Sequence, residues 1–263
     1  MNTSHWNPDY INLVTRNWNT PREIAALNYL ADFSMIKNLP THLHRELHRG
    51  EKISILDAGC GAGRLCHHVP KDFGIIYYGL DSSPDLLRIA HKNYATPAAY
   101  LTDPSPGKVT RAHPKNHFRF TEGSVYQIPF AHNSFNLVIS HAVLFHLCDI
   151  PRALAELWRV TRWRLVVSFY VRDNPILDRS PLIGAAFGKL GLSRHALNVV
   201  PVEDPVGGNV HFSVRNALPR WMIERLITRL PRLHTYTLEI KRSFFDIPLG
   251  TPYAFIRAEK KRY

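Results

Sequence analysis

Short, nearly unbroken apolar runs recur along the first two thirds of the chain, and each ends in a small or polar residue. They are Ile53-Ser54-Ile55-Leu56-Asp57, Ile75-Ile76-Tyr77-Tyr78-Gly79-Leu80-Asp81, Phe135-Asn136-Leu137-Val138-Ile139-Ser140 and Leu165-Val166-Val167-Ser168-Phe169-Tyr170. Runs of this length without strict alternation predict strands buried on both faces, as in a parallel sheet. Between the last two, residues 150–162 place Leu154, Leu157 and Val160 at helical spacing, which predicts an amphipathic helix. Pro21-Arg22-Glu23 predicts a helix start with proline in its first turn. Residues 41–48 predict a second helix, with Leu43 and Leu47 on one face and His44 and His48 on another. Residues 233–244 and 252–260 predict a closing antiparallel pair, Phe255 and Ile256 lying in the last strand.

Two stretches break the pattern. Residues 96–114 hold Pro97, Pro104, Pro106, Gly107 and Pro114, which argues for a long loop between the second helix and the third strand, expected either to be mobile or to stand at a pocket rim. Residues 173–212 carry four prolines and five glycines and predict a cap, with a short helix over 182–192 and turns over 199–209.

The most informative chemistry follows the first run, where Gly59, Gly61 and Gly63 alternate in Asp57-Ala58-Gly59-Cys60-Gly61-Ala62-Gly63-Arg64. Glycines there permit a sharp strand-to-helix turn and the close approach of backbone to a ligand, with the N–H groups of a following helix facing it. A dinucleotide site has G-x-G-x-x-G. This chain has G-x-G-x-G with an acid two residues earlier, which repels a pyrophosphate and suits a cation.

The segment Ile55-Leu56-Asp57-Ala58-Gly59-Cys60-Gly61-Ala62-Gly63 resembles the first motif of class I S-adenosylmethionine-dependent methyltransferases, whose cofactor carries an ammonium and a sulfonium. Three further blocks stand in the same order: the run ending at Asp81, 22 residues past Gly59; Phe118–Phe120 with Glu122–Phe130; and Ser134–Leu147. The match is to the small-molecule branch, similar to quinone-biosynthesis and natural-product methyltransferases, and covers roughly residues 50–172. It implies an α/β fold with a Rossmann-like seven-stranded, mostly parallel sheet and helices on both faces. Residues 1–49 would be an N-terminal helical lid, 50–172 the cofactor-binding core and 173–212 a cap insertion after strand 5. Residues 213–263 would supply the last helix and the closing strands of the same domain.

The resemblance also implies roles. Asp57, Gly59, Gly61 and Gly63 form the cofactor turn, Asp81 with Ser82 the ribose site, Ser124 and Val125 the adenine edge, and Ser140 the end of the fourth strand under the methyl group. Ser124 departs from the family, which usually has an acid there; a hydroxyl accepts more weakly than a carboxylate. His141 and His146 are the candidate bases, because imidazole titrates near neutrality. Tyr10 and Arg16, in a segment that often folds over the methionine end, are candidates for its carboxylate, Tyr10 also for catalysis. S-adenosylmethionine, S-adenosylhomocysteine or methylthioadenosine is the expected ligand, and a small molecule the expected acceptor.

Composition narrows the alternatives. Cys60, Cys66 and Cys148 are too few and too odd for a disulfide framework. No signal-like region or apolar stretch of spanning length is present, so a cytoplasmic protein without membrane insertion is expected. Fifteen histidines do not make a metal site, since adjacent helical side chains such as His67 and His68 diverge; none is expected. Of the net charge of +12, +2 lies up to residue 150 and +10 beyond it. That basic second half keeps an anionic acceptor open, and an RNA-binding or RNA-modifying protein as an alternative, although nucleic-acid modules are not evident. A second alternative is an enzyme that cyclises S-adenosylmethionine itself and releases methylthioadenosine. Monomer and homodimer remain equally open.

Overall fold

The computed structural model describes residues 21–44, 50–70, 73–95, 116–171, 197–203, 210–244 and 247–261. Its centre is a parallel sheet formed by β1 (Ser54–Ala58), β2 (Ile76–Asp81), β3 (His117–Glu122), β4 (Phe135–Ser140) and β5 (Thr161–Val171). The order is β3-β2-β1-β4-β5, all parallel. Central strands of such a sheet are covered on both faces, which is why Ile55, Leu56, Ala58, Leu137, Val138, Ile139, Leu165, Val166 and Val167 are all fully buried.

Helices lie on both faces. One side carries α1 (Pro21–Ser34), α2 (Leu39–His42) and α3 (Pro84–Tyr94), whose Leu30, Leu39 and Ala90 share a core with Ile55 and Ile139. The other carries α4 (Ile150–Val160) and α5 (Arg220–Thr228), whose Leu157 and Ile227 pack with Leu56 and Val138. The starts of α3 and α4 follow from sequence: each has proline in its first turn, and Ser83 and Asp149 accept from the Leu86 and Arg152 N–H groups at 3.4 and 3.1 Å, satisfying orphan donors. The α1 end is tied down by buried Arg164 of β5, which pairs with Glu259 at 2.6 Å and donates to the Ser34 carbonyl at 3.3 Å.

Among the described residues the sheet has nine strands where seven are expected. β8 (Leu233–Phe244) and β9 (Ile247–Lys260) form the antiparallel pair the pattern predicts, β9 running antiparallel along β5. The two additional strands, β6 (Leu197–Glu203) and β7 (Val210–Leu218), form a hairpin attached to the last residues of β5 through Tyr170↔Ala217 and Val171↔Leu218. Residues 199–203 are thus strand where proline and glycine predict turns; among the described residues β6 pairs only with β7, and an edge strand tolerates Pro201. The expected helix over 182–192 lies outside the described residues.

Two local expectations change. The turn after β1 leads into a five-residue 3₁₀ segment, Arg64–His68, so no long helix N-terminus faces a ligand there. Of the helix expected over 41–48, only the end of α2 is seen; Leu43 closes it, buried, while His44 is exposed and residues 45–49 lie outside the described set.

Candidate functional site

The chain runs β1, β2, β3 outward and then returns to β4 on the other side of β1. Connections therefore diverge between the carboxyl ends of β1 and β4, where open α/β sheets form their ligand crevices. A cavity of about 430 Å³ lies there, lined by Asp57, Gly59, Cys60, Gly61, Arg64, Asp81, Ser82, Ser124 and Val125 on one side, and by His141, Val143, Phe145, His146, Tyr170 and Tyr253 on the other, with Leu27 and Leu30 contributed by α1.

The glycine turn is stitched to β2. Gly59 and Cys60 N–H groups both donate to the Leu80 carbonyl, and Gly61 N–H donates to Asp81 Oδ2 at 2.8 Å. Ser83 N–H holds the other Asp81 oxygen at 2.9 Å. At Gly59 (φ +82°) an added Cβ would lie 2.1 Å from Val143 Cγ2, so the turn must be bare for the β4 loop to approach. Gly63 has a different task from the one expected: it does not line the cavity, and a Cβ there would meet Tyr94 at 3.0 Å and Phe120 at 3.2 Å.

The electrostatics of this half call for a cation. Asp57 is buried and accepts from the Tyr77 hydroxyl at 2.5 Å. Burial pushes its carboxyl up to about 7, against the stabilising Tyr77 hydrogen bond and with a further push from Asp81. Asp81 is also raised by burial, partly offset by its backbone N–H donors. Two desolvated carboxylates on one cavity would be relieved by a positively charged ligand. The residues thus fit a sulfonium nucleoside. At the expected adenine edge Ser124 lines the cavity with one lone pair engaged by the Tyr126 N–H at 3.2 Å.

Ser140 departs from expectation. It is fully buried and its hydroxyl donates to the Ala58 carbonyl at 2.8 Å, so it joins β4 to β1 and does not line the cavity. His141, next along, does line it. Its Nδ1 lies 3.0 Å from Ser168 Oγ, and that oxygen accepts from the Ala142 N–H at 3.0 Å. Ala142 has φ 59°, an uncommon left-handed conformation for a residue with a Cβ. The His141 ring stacks on Phe255 at 5.7 Å with an 18° interplanar angle. Burial, aided by Arg64, pushes this imidazole down to about 4, so it is neutral at pH 7 and does not titrate near neutrality as its residue type suggests.

His146 ends the 3₁₀ turn Leu144–His146, 4.3 Å from the Phe145 ring; Phe145 stacks on Tyr170 at 3.9 Å, and the Tyr253 and Tyr170 hydroxyls are 3.2 Å apart. Tyr10 and Arg16 lie outside the described residues. Sequence reasoning missed Ser168, Tyr170, Tyr253 and Arg64. A hydroxyl inside an otherwise apolar, doubly buried strand was an available signal for Ser168. Tyr253 had none, because only the β5–β9 register places it opposite Tyr170. Among the described residues no cluster of three or more metal-ligating side chains occurs.

Comparison with known proteins agrees with this geometry. Residues 56–164 match the family model described as a methyltransferase domain. An uncharacterised methyltransferase of Schizosaccharomyces pombe is 35% identical over 111 residues, 41% of this chain and 36% of that protein. Ajmaline N-methyltransferase of Rauvolfia serpentina is 28% identical over 107 residues, 41% of this chain and 32% of that protein. The chain therefore spans about a third of the length of these curated relatives. Among solved structures, magnesium protoporphyrin IX methyltransferase of Synechocystis with bound S-adenosylhomocysteine superposes with a TM-score of 0.53 at 12% identity, covering 98% of both chains. Residues 56–164 thus match a methyltransferase domain, and the chain shares its Rossmann-like fold with a solved methyltransferase.

Proposed function

We propose that this protein transfers the methyl group of S-adenosylmethionine to a small-molecule acceptor. The observation that carries the proposal is the pair of desolvated carboxylates, Asp57 and Asp81, flanking a bare glycine turn at one end of a cavity whose other end is aromatic. Asp81, oriented by Gly61 and Ser83 and flanked by Ser82, accepts from the ribose hydroxyls. Asp57 compensates the ammonium end, Gly59 and Gly61 allow backbone contact, and Ser124 and Val125 meet the adenine edge. Gly63 and Ser140 act by shaping the turn and joining the strands. Tyr10 and Arg16 remain our candidates for the methionine carboxylate, His146 and Tyr10 for contacts to the acceptor.

The sulfonium supplies an already activated methyl carbon and a neutral leaving group. The protein's own task is to hold the acceptor atom on the C–S axis and to exclude water, and such positioning is worth up to about 7 to 11 kcal/mol. Residues 1–49 and the 173–212 cap are the segments we assign to closing over the acceptor, on the 50–172 core and the 213–263 closing unit. A role in secondary metabolism is supported by the similarity to ajmaline N-methyltransferase. A cytoplasmic location is supported by three free cysteines, two of them buried; among the described residues no helix is long and apolar enough to cross a membrane.

Incubation with methyl-labelled S-adenosylmethionine tests the reaction type. Cofactor that stays intact until an acceptor is supplied, then yields labelled product and S-adenosylhomocysteine, supports the transferase. Methylthioadenosine released with no acceptor present would establish the cyclase in its place.

A further inference from the structure

The second half of the cavity contains a hydroxyl–imidazole pair whose proton positions can be worked out. Ser168 is fully buried, and its Oγ lies 3.0 Å from the Ala142 nitrogen and 3.0 Å from His141 Nδ1. The Ala142 N–H can only donate, so it occupies one Oγ lone pair. Among the described residues the hydroxyl proton then has a single acceptor in reach, the Nδ1 lone pair. A proton on Nδ1 would set two donors against Ser168 and leave its own hydroxyl proton buried without a partner, which carries the full desolvation cost of that group. The imidazole proton therefore sits on Nε2.

We propose that Ser168 fixes His141 as the neutral tautomer protonated on Nε2, so that the ring donates a hydrogen bond into the cavity and favours an acceptor presenting a carbonyl oxygen. Ser168 is a positioning residue, and it clamps the ring and the left-handed Ala142 backbone together. Stacking on Phe255 at 5.7 Å and the nearby Tyr253 ring at 5.8 Å fix the imidazole plane. The low affinity of this ring for a second proton agrees with a neutral donor. Around it the cavity wall carries Leu27, Leu30, Val143 and Leu147, with Phe145 stacked on Tyr170 at 3.9 Å and the Tyr170 and Tyr253 hydroxyls paired at 3.2 Å. No described carboxylate lines this half, and Arg64 stands at the glycine turn. A cationic acceptor would lose hydration there without a counter-charge, whereas a carbonyl oxygen gains a donor. A donor at this place replaces the base expected from the residue type. The acceptor class rests on the methyltransferase assignment; the tautomer does not.

Two-bond ¹H–¹⁵N correlation on ¹⁵N-histidine-labelled protein, with S-adenosylhomocysteine added, tests both parts. His141 is identified as the ring missing from His141→Gln. The expected pattern is protonated Nε2 and unprotonated Nδ1, shifting to a tautomer mixture in Ser168→Ala and restored in Ser168→Thr. A ring protonated on Nδ1 in the unmutated protein, or an unchanged pattern in folded Ser168→Ala, overturns the lock. Acetophenone at millimolar concentration should then move the His141 Nε2 signal, and ethylbenzene, which lacks the oxygen, should not. No response to acetophenone, or the same response to both, overturns the acceptor class. Calorimetry of S-adenosylhomocysteine on the same sample reports separately on the cofactor assignment.

Discussion

The backbone N–H of Gly61 donates to the Asp81 carboxylate at 2.8 Å, joining the turn after β1 to the end of β2. One carboxylate thus holds the glycine turn in shape and remains on the cavity wall, where a ribose can reach it. Replacing Asp81 removes both functions together. Asp81→Ala should weaken S-adenosylhomocysteine binding by roughly 10- to 100-fold, the loss expected for hydrogen bonds to a charged group. Titration calorimetry measures this, and Asp81→Asn, which keeps an acceptor for Gly61, should lose less. Unchanged affinity in Asp81→Ala would show that the ribose lies elsewhere.

Asp57 predicts a pH dependence. Its folded-state value, about 7, is above the ordinary value of 3.8, so the folded, ligand-free protein holds this proton more tightly than the unfolded chain. Its contribution to stability is present below pH 4 and is lost as pH rises through about 7, every tenfold difference in proton affinity between the folded and unfolded chain being worth about 1.4 kcal/mol. A cationic ligand needs the ionised form. Binding of S-adenosylmethionine should therefore tighten by about tenfold or more between pH 5.5 and 7.5. Asp57→Asn should flatten this slope and remove the matching fall in ligand-free melting temperature.

Gly59 tests the contact between the two loops. Gly59→Ala puts a Cβ at a left-handed position 2.1 Å from Val143 Cγ2, and should cost about 2–4 kcal/mol in urea unfolding from backbone strain and overpacking together. Val143→Ala in the same chain should restore the steric part and leave the strain.

Arg164 tests the attachment of α1. Its buried guanidinium bridges Glu259 and the Ser34 carbonyl, so Arg164→Ala leaves a carboxylate short of its partner and should destabilise by about 3–5 kcal/mol. Replacing both partners, as Arg164→Met with Glu259→Leu, should recover much of that loss. Equal destabilisation in single and double variants would contradict the account of this bridge.

Legibility of the sequence followed the physics of each element. β1, β2, β4 and β5 could be read directly because strands covered on both faces must be apolar throughout, and α4 because its buried positions repeat with the helical period. Asp57, Gly59, Gly61 and Asp81 could be placed because each lies at a strand end or just past one, so local order fixes their position. The β6–β7 hairpin was obscured because Pro201 and the nearby glycines resemble turn signals. The Ser168–His141 pair and the Tyr170–Tyr253 contact depend on register between strands, which no local pattern records. Ser140 shows the reverse case: its position at the strand end was right, but the direction of its hydroxyl follows from the neighbouring Ala58 carbonyl.

The most direct measurement is titration calorimetry of the folded, ligand-free protein with S-adenosylmethionine and S-adenosylhomocysteine at pH 7.5. Saturable 1:1 binding of both is predicted, lost or strongly weakened in Asp81→Ala. Absence of any binding heat at millimolar ligand, with the fold verified by circular dichroism, would contradict the assignment of this cavity to a sulfonium nucleoside.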